Sequence, residues 1–518
     1  MMPKGEIQNE FERLDSRRSN KIQRGQDCAR LTVPGIFPEE GFTETMELPD
    51  VFSSLPARGV MALASRMVSA IYPLNQAPFF NFELDQAFVP EGTDPTETMA
   101  QLGRLDRKIM DKLSSTNLRQ ELFVLFQHLI IIGDALFEIQ DEYQFRVHRV
   151  DQYVVQRYPN GRVKRIILRE WIDPEAVPEG WPEYDEKEEY MGMGPTEDHR
   201  PLYTEVEWNE SKKVWEVEKE YCGMPVDSGT YEVCPYVPQV WSRIAGEDYG
   251  RSLVEEHIGD IRTLEQITKA LVEAAVANSE FRIGVDPSGM TEVSDLQDTE
   301  NGDFVPARAA DVFPIQLLKQ IDMGPMASLR SDLSQQLART FLLQSSVQRT
   351  GDRVTATEIR EVAQELDQAL GGIFSSLARD IQIPIVRRSI VLMGRDKMVP
   401  KDILKMLDGT GPLVLKVRTG LEALNREVTN SQLATWAQMV GQMQSVQPYI
   451  DWYGWAIKWT SSFGLEPVGL VKTPQQLEQE QQQQAQQSIQ MMAAQQSVTS
   501  LGAMAEGGAE AAMQQGNQ

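Results

Sequence analysis

"FLLQSSVQRTGDRVTATEIREVAQEL", residues 341–366, sets the reading of the whole chain. A helical pattern stops at Leu343, a short polar loop carries Arg349, Gly351 and Arg353, and a long helical pattern restarts at Thr355. Thr355 and Glu358 have the spacing of a capping box, so the restart is sharply specified. In a chain of formal net charge −26, two arginines flanking a glycine on an interhelical loop ask for an explanation.

Both flanks of the loop are helical. Upstream, residues 326–343 are striped by Leu329, Leu333, Leu337 and Phe341. Downstream, Ile359, Val362, Leu366, Leu370, Ile373, Leu377 and Ile381 carry the stripe towards Pro384. Gly371-Gly372 lies within that run and signals either a kink or a close helix–helix approach. Further upstream, Ser252 and Glu255 form a second capping box ahead of Val254, Ile258, Ile261, Leu264, Ile267, Leu271 and Ala275. A continuous helix over 252–280 would be roughly 40 Å long. Residues 281–320 break the pattern with Gly, Pro and short β-like pieces.

Nearer the N-terminus, residues 8–30 read as an exposed charged helix, and 31–45 as a Pro- and Gly-punctuated loop. Pro56 opens a helix closed by Pro73; 99–114 and 118–132 read as two more, the three forming one helical layer. From about 135 the apolar period becomes two. Asn160-Gly161 joins two alternating runs as a hairpin, and a second hairpin turns near Asn209–Lys212, giving a β-rich subdomain over 135–245. "LVLKVR" (413–418) reads as a strand, and helices follow over about 425–465 with Trp436, Trp452, Trp455 and Trp459. After Thr473 the chain is Gln-, Ala- and Met-rich, helical at first and then disordered.

The 518 residues suffice for several domains, and 41% apolar with 24% charged residues is ordinary for a globular protein. No run approaches the ~20 apolar residues needed to span a bilayer, and the N-terminus shows no apolar signal segment. Cys28, Cys222 and Cys234 form no CxxC pair and fit a reducing compartment; His128, His148, His199 and His257 show no metal-ligand spacing. No metal or other cofactor is implied. The acidity argues against a general nucleic-acid binder but suits a wall past which DNA slides, because affinity for DNA comes largely from Lys and Arg. Charge is uneven: 170–220 is net −12, whereas 321–400 is net +1, so the opening loop sits in a less acidic region.

No catalytic grouping emerges. Gly-Lys-Ser/Thr is absent, which removes the phosphate-cradling lysine loop of a P-loop motor. "GMG" (192–194) runs into Pro195 rather than a dinucleotide-loop spacing, and there is no GxSxG elbow. The expectation is a protein without enzymatic activity.

Several segments, in order, carry a family resemblance: "ARGVMALASRM" (57–67) with "ALFEI" (135–139), "CPYVPQVWSRIAGEDYGRSLVEEHIGDIRTLE" (234–265), "NGDFVPAR" (301–308), "SSVQRTGDRVTATEIREVAQELDQALGGIFSSLARDIQIPIVRR" (345–388) and "RTGLEAL" (418–424). The chain resembles the head-to-tail connector, or portal, proteins of short-tailed bacteriophages (podoviruses of the autographivirus type) from about residue 8 to 470, weakly over 170–220. The resemblance implies an α+β, predominantly α-helical portal fold of wing, stem, clip and crown, assembling as a homo-oligomeric ring of about twelve copies around a channel for double-stranded DNA. It places the wing at 1–251, stem helices at 252–280 and 321–343, the clip at 281–320, a tunnel loop at 344–354, a long wing helix and return strand at 355–424, the crown at 425–472 and a tail at 473–518.

Its implied location is the virion, at one capsid vertex, after assembly in the host bacterial cytoplasm. The implied partners are a terminase packaging ATPase, tail adaptor and nozzle proteins, and the major capsid and scaffolding proteins, with no membrane insertion. The DNA-contacting candidates are Gln348, Arg349, Thr350, Gly351 and Arg353. Arginine forks grip phosphate, and glycine permits a left-handed tip. The alternative for the arginines is a pairing with Asp352 or a neighbouring subunit that merely fixes the loop. The alternatives for the chain are an internal core or scaffolding protein, or a DNA-processing hydrolase with an unfamiliar site.

Overall fold

The computed structural model describes residues 5–39, 42, 45–72, 79–84, 95–182, 199–279, 282–289, 291–297, 307–308, 310–315, 323–343, 366, 368–370, 372–396, 413–417, 435–441 and 452–462. The chain forms two compact units. One comprises Met1–Asn81, Lys108–Gly411 and Leu415–Ala423; the other comprises Phe82–Arg107, Pro412–Val414 and Leu424–Gln518.

The N-terminal segment departs from its reading as an exposed helix. Two helices, α1 (Glu6–Arg17) and α2 (Ser19–Arg30), meet at Arg18 and bury one side of each. Ile7, Phe11 and Leu14 of α1 pack with Val154, Ile167 and Tyr203, with the Phe11 and Tyr203 rings 5.4 Å apart. The Glu220 carboxylate accepts from the Ile7 and Gln8 amides at 2.9 and 3.1 Å, an anion at the positive end of α1. Charge misled the sequence reading because Arg18 and Lys21 are 3% and 5% exposed. Arg18 donates through Nη1 to the Val150 and Tyr153 carbonyls and through Nε to Asp15 (2.8 Å), so it ends inside the protein.

Three helices follow as expected: α3 (Leu55–Ile71), α4 (Pro95–Ser114) and α5 (Leu118–Ile131), separated by β1 (Phe80–Leu84) ahead of α4. The β-rich region builds two sheets. β2 (Asp134–Ile139) sits between β3 (Phe145–His148) and β9 (Tyr236–Val240), antiparallel to both. Every residue of β2 is buried, because both edges are paired and α5 packs against it.

The second sheet is a meander of β4 (Tyr153–Arg157), β5 (Val163–Ile172), β6 (Arg200–Asn209), β7 (Val214–Tyr221) and β8 (Met224–Tyr231). Gly161 at φ +83° turns the first expected hairpin. At the second, the Asn209 side chain accepts from the Ser211 and Lys212 amides at 3.0 and 3.1 Å. A third hairpin went unread: Cys222 (φ 51°) and Gly223 (φ 75°) form a two-residue turn with both residues left-handed.

The helix expected over 252–280 is broken. Ser252 caps it as read, its hydroxyl accepting from the Glu255 amide at 2.8 Å. The Glu255 carboxylate does not return to the cap; it receives Arg251 at 2.8 Å and Arg24 at 3.3 Å. A short α6 (Leu253–Glu256) therefore ends at His257, and α7 (Ile258–Ser279) begins afresh. Next come β10 (Arg282–Val285), α8 (Val293–Gln297) and β11 (Val312–Ile315), with β10 and β11 paired antiparallel. α9 (Gly324–Thr340) then returns alongside α7.

α10 (Ile373–Arg395) begins after the glycine pair. Gly372 has φ +85° with nothing within 4 Å of an added Cβ, a left-handed break in the helical run before α10; Gly371 lies outside the described residues. Pro384 lies inside this helix. A proline there orphans the carbonyl four residues earlier, that of Asp380, and Gln239 Nε2 of β9 donates to it at 3.0 Å. The expected strand is β12 (Leu413–Val417). In the second unit, the helix Trp452–Ser462 carries Trp452, Trp455 and Trp459 in successive ring contact, and Trp436 lies 6.3 Å from Trp452.

Candidate functional site

The five tunnel-loop candidates, Gln348, Arg349, Thr350, Gly351 and Arg353, lie outside the described residues. The chain is described up to Leu343 and again from Leu366, and Leu342 on the near side and Gln382 on the far side each contact α3. On the near side, Phe341 closes α9 fully buried, its ring against Gly59, where an added Cβ would stand 2.5 Å from Phe341 Cγ. The next residue, Leu342, is left-handed (φ 57°), and Arg66 Nη1 donates to its carbonyl at 2.5 Å. On the far side, Leu366 and Leu370 are buried, and Gln382 of α10 donates to the Ile71 carbonyl at the end of α3 at 2.8 Å.

The first turns of α7 pack against the last turns of α9. Ile261, Leu264 and Leu337 are buried, and Gln336 Nε2 donates to Asp260 at 3.2 Å. Near the start of α6 lies a charged knot that sequence reading missed. Lys21 Nζ, from α2, lies 2.9 Å from Asp134 and donates to the Ile132 and Gly250 carbonyls at 2.7 and 2.5 Å. Asp134 also accepts the Gly250 amide at 2.9 Å. Burial pushes the Asp134 carboxyl up, and Lys21 and the Gly250 hydrogen bond oppose that rise. The knot ties α2, the start of β2 and the turn into α6 together. Its members are up to 229 residues apart in sequence, so no local pattern could have shown it.

The three cysteines are not activated. Burial pushes the Cys28 and Cys234 thiols up to about 12 and the Cys222 thiol up as well, the reverse of an activated nucleophile. Among the described residues no group of three or more His, Cys, Asp or Glu could hold a metal ion, and no helix is long and apolar enough to cross a membrane. His148 Nε2 is 2.8 Å from Glu138, a buried pair joining β3 to β2.

His128 on α5 gives a pH prediction. Burial pushes its imidazole down to about 4; Arg149 lowers it further and Asp151 opposes. The unfolded chain then binds the proton more readily, so this contribution is complete above the ordinary value of about 6.5 and is lost as pH falls towards 4. The expected size is about 3 kcal/mol. Urea unfolding of the parent and His128→Leu between pH 4 and 7 checks it: the variant should lose that part of the slope.

The chain belongs to the bacteriophage head-to-tail connecting proteins, whose family model matches residues 4–470. Within that class it is similar to the portal protein of Escherichia phage T7, 31% identical over 501 residues that cover 93% of this chain and 90% of the relative. The portal protein of Enterobacteria phage T3 is 31% identical over 482 residues (90% and 88% covered). That of Pseudomonas phage phiKMV is 28% identical over 496 residues (92% and 94%). A solved chain from the neck of an empty GTA particle shares 10% identity at a TM-score of 0.34, covering 79% of this chain and 90% of its own; nothing further is drawn from it. The resemblance read from the sequence therefore holds over nearly its whole expected span.

Proposed function

We propose that this chain is a phage portal: copies close into a ring at one capsid vertex, and the channel passes double-stranded DNA inward during packaging and outward on ejection. The observation that carries this is the family match over residues 4–470, joined to 31% identity with a portal protein over 93% of the chain. Its location is then the virion. It works as a structural part without catalysis of its own, drawing on a separate packaging ATPase and offering a platform to tail, capsid and scaffolding proteins.

The paired α7 and α9 support a stem reading, with β10, α8 and β11 between them as the clip. The two β-sheets with α1–α3 and α5 fit a wing, and the tryptophan-bearing helix of the second unit fits a crown. The acidic surface of a chain at net −26 would repel phosphate along the channel. Against it, a ring of Arg349 and Arg353 on the loop between α9 and α10 would supply the one cationic constriction.

Two experiments follow. Capsids assembled with and without this chain are compared for nuclease-protected DNA; protected genome only in its presence supports the reading, and equal protection contradicts it. Arg349→Ala with Arg353→Ala is expected to leave ring assembly intact and to lower retained DNA several-fold, read as protected DNA per particle. Unchanged retention would remove the arginines from the DNA path.

A further inference from the structure

The exposed surfaces flanking α7 differ in charge and in position around the helix. Asp260 faces α9 through Gln336, whereas Glu265 accepts the Phe52 and Ser53 amides at 2.6 and 2.9 Å, and Lys269 Nζ lies 5.6 Å from the Phe52 ring centroid. At about 100° per residue, Glu265 and Lys269 stand roughly 140° and 180° around α7 from Asp260. The 45–54 segment and α9 therefore flank α7 on nearly opposite sides.

Each flank carries apolar surface that the single chain leaves uncovered. On the 45–54 side Met46 is 53% exposed, Leu48 and Phe52 are also exposed, and Val272 and Val276 (56%) continue the same arc of α7. On the other side, residues 327–332 of α9 are all exposed, more than a full helical turn, and Leu329 is 48% exposed. A helix covered on no side in the monomer has little of its own to hold it. The charges are complementary. Residues 45–54 hold Glu47 and Asp50 and no cation, whereas α9 exposes Arg330 and Arg339 against the single carboxylate of Asp332.

We propose that these two flanks are the two halves of one contact between copies of this chain: the acidic, apolar 45–54 segment and the Val272–Val276 stripe of one copy seat against the first turns of α9 of the next. The inference rests on the ring reading, because a ring needs two different, mutually complementary patches on each subunit rather than one patch meeting itself. The occupant is a second copy on grounds of charge: a loop bearing only carboxylates, Glu47 and Asp50, meets the exposed Arg330 of α9.

Charge reversal tests it on the full-length chain, with ring content read by native mass spectrometry. Arg330→Glu alone, and Glu47→Arg with Asp50→Arg, are each expected to cut the ring fraction about tenfold at fixed concentration, and the three together to restore it. All positions are exposed, so circular dichroism should be unchanged. Met46→Cys with Leu329→Cys should give an oxidation ladder of linked chains that neither single variant gives. If the parent forms rings, the contact is overturned by reversal variants that assemble equally well, by failure of the triple variant to recover, or by absence of the ladder; the ring reading then stands. A parent that forms no ring sinks the ring reading itself.

Discussion

Replacing Lys21 by methionine is expected to cost about 3–5 kcal/mol, the range for stripping one partner from a buried ion pair. The size follows from what is left behind. Asp134 is 1% exposed and would keep only the Gly250 amide, while the Ile132 and Gly250 carbonyls would lose the donor that now reaches both. Methionine fills the volume, so the loss is electrostatic rather than a cavity. A pH signature separates the two. Burial already raises the Asp134 carboxyl, and without Lys21 only the Gly250 hydrogen bond and the charge of Arg157 oppose that rise. A raised folded-state value means the folded form gains stability on protonation, so the cost should shrink as pH falls and grow as it rises. Urea midpoints at pH 8 and pH 5 read this directly. An equal cost at both would mean that Asp134 does not depend on Lys21. Lys21→Met with Asp134→Leu should recover much of the loss, since an apolar pair leaves no stranded charge.

The second large effect is expected at Gly133, the residue after the C-cap of α5. Its φ of +93° is left-handed, and an added Cβ would stand 2.7 Å from the Arg251 carbonyl carbon and 2.8 Å from the Ser252 nitrogen. Those neighbours are backbone, at the root of α6, and cannot rotate away. Left-handed strain of about 1–2 kcal/mol adds to overpacking of about 1–3 kcal/mol, so Gly133→Ala should lose roughly 2–5 kcal/mol. Gly180 is the control: its φ is +94° with nothing within 4 Å, so Gly180→Ala should pay only the conformational part. Equal losses at the two positions would show that the contact with residues 251–252 carries no weight.

What the sequence shows and hides divides along physical lines. Helices with regular apolar spacing, such as α3, α5 and α9, and hairpins whose turns carry Asn-Gly or Asn at fixed offsets were legible, because period and turn chemistry are local. The Ser252 cap was legible for the same reason. Three features were not. The burial of Arg18 and Lys21 depends on carbonyls more than 100 residues away, and a charged side chain in a sequence looks solvated until such partners are known. That α10 would run on past Pro384 was not legible, because it is tertiary structure that supplies Gln239 to the carbonyl the proline orphans. The Cys222-Gly223 turn was passed over because Cys is an unusual left-handed residue, and the alternation on either side of it was taken as one subdomain without a boundary. The candidate DNA-contacting loop was located by its flanking helices and by family resemblance; its own residues lie outside those described.

The measurement that tests the central claim most directly is single-particle imaging of the purified full-length protein, with its mass taken by native mass spectrometry. The expected result is a closed ring with an axial pore and a mass near about twelve times the chain mass of 58.5 kDa. An elongated particle without a pore, or a chain that cuts DNA when supplied with divalent metal, would contradict it.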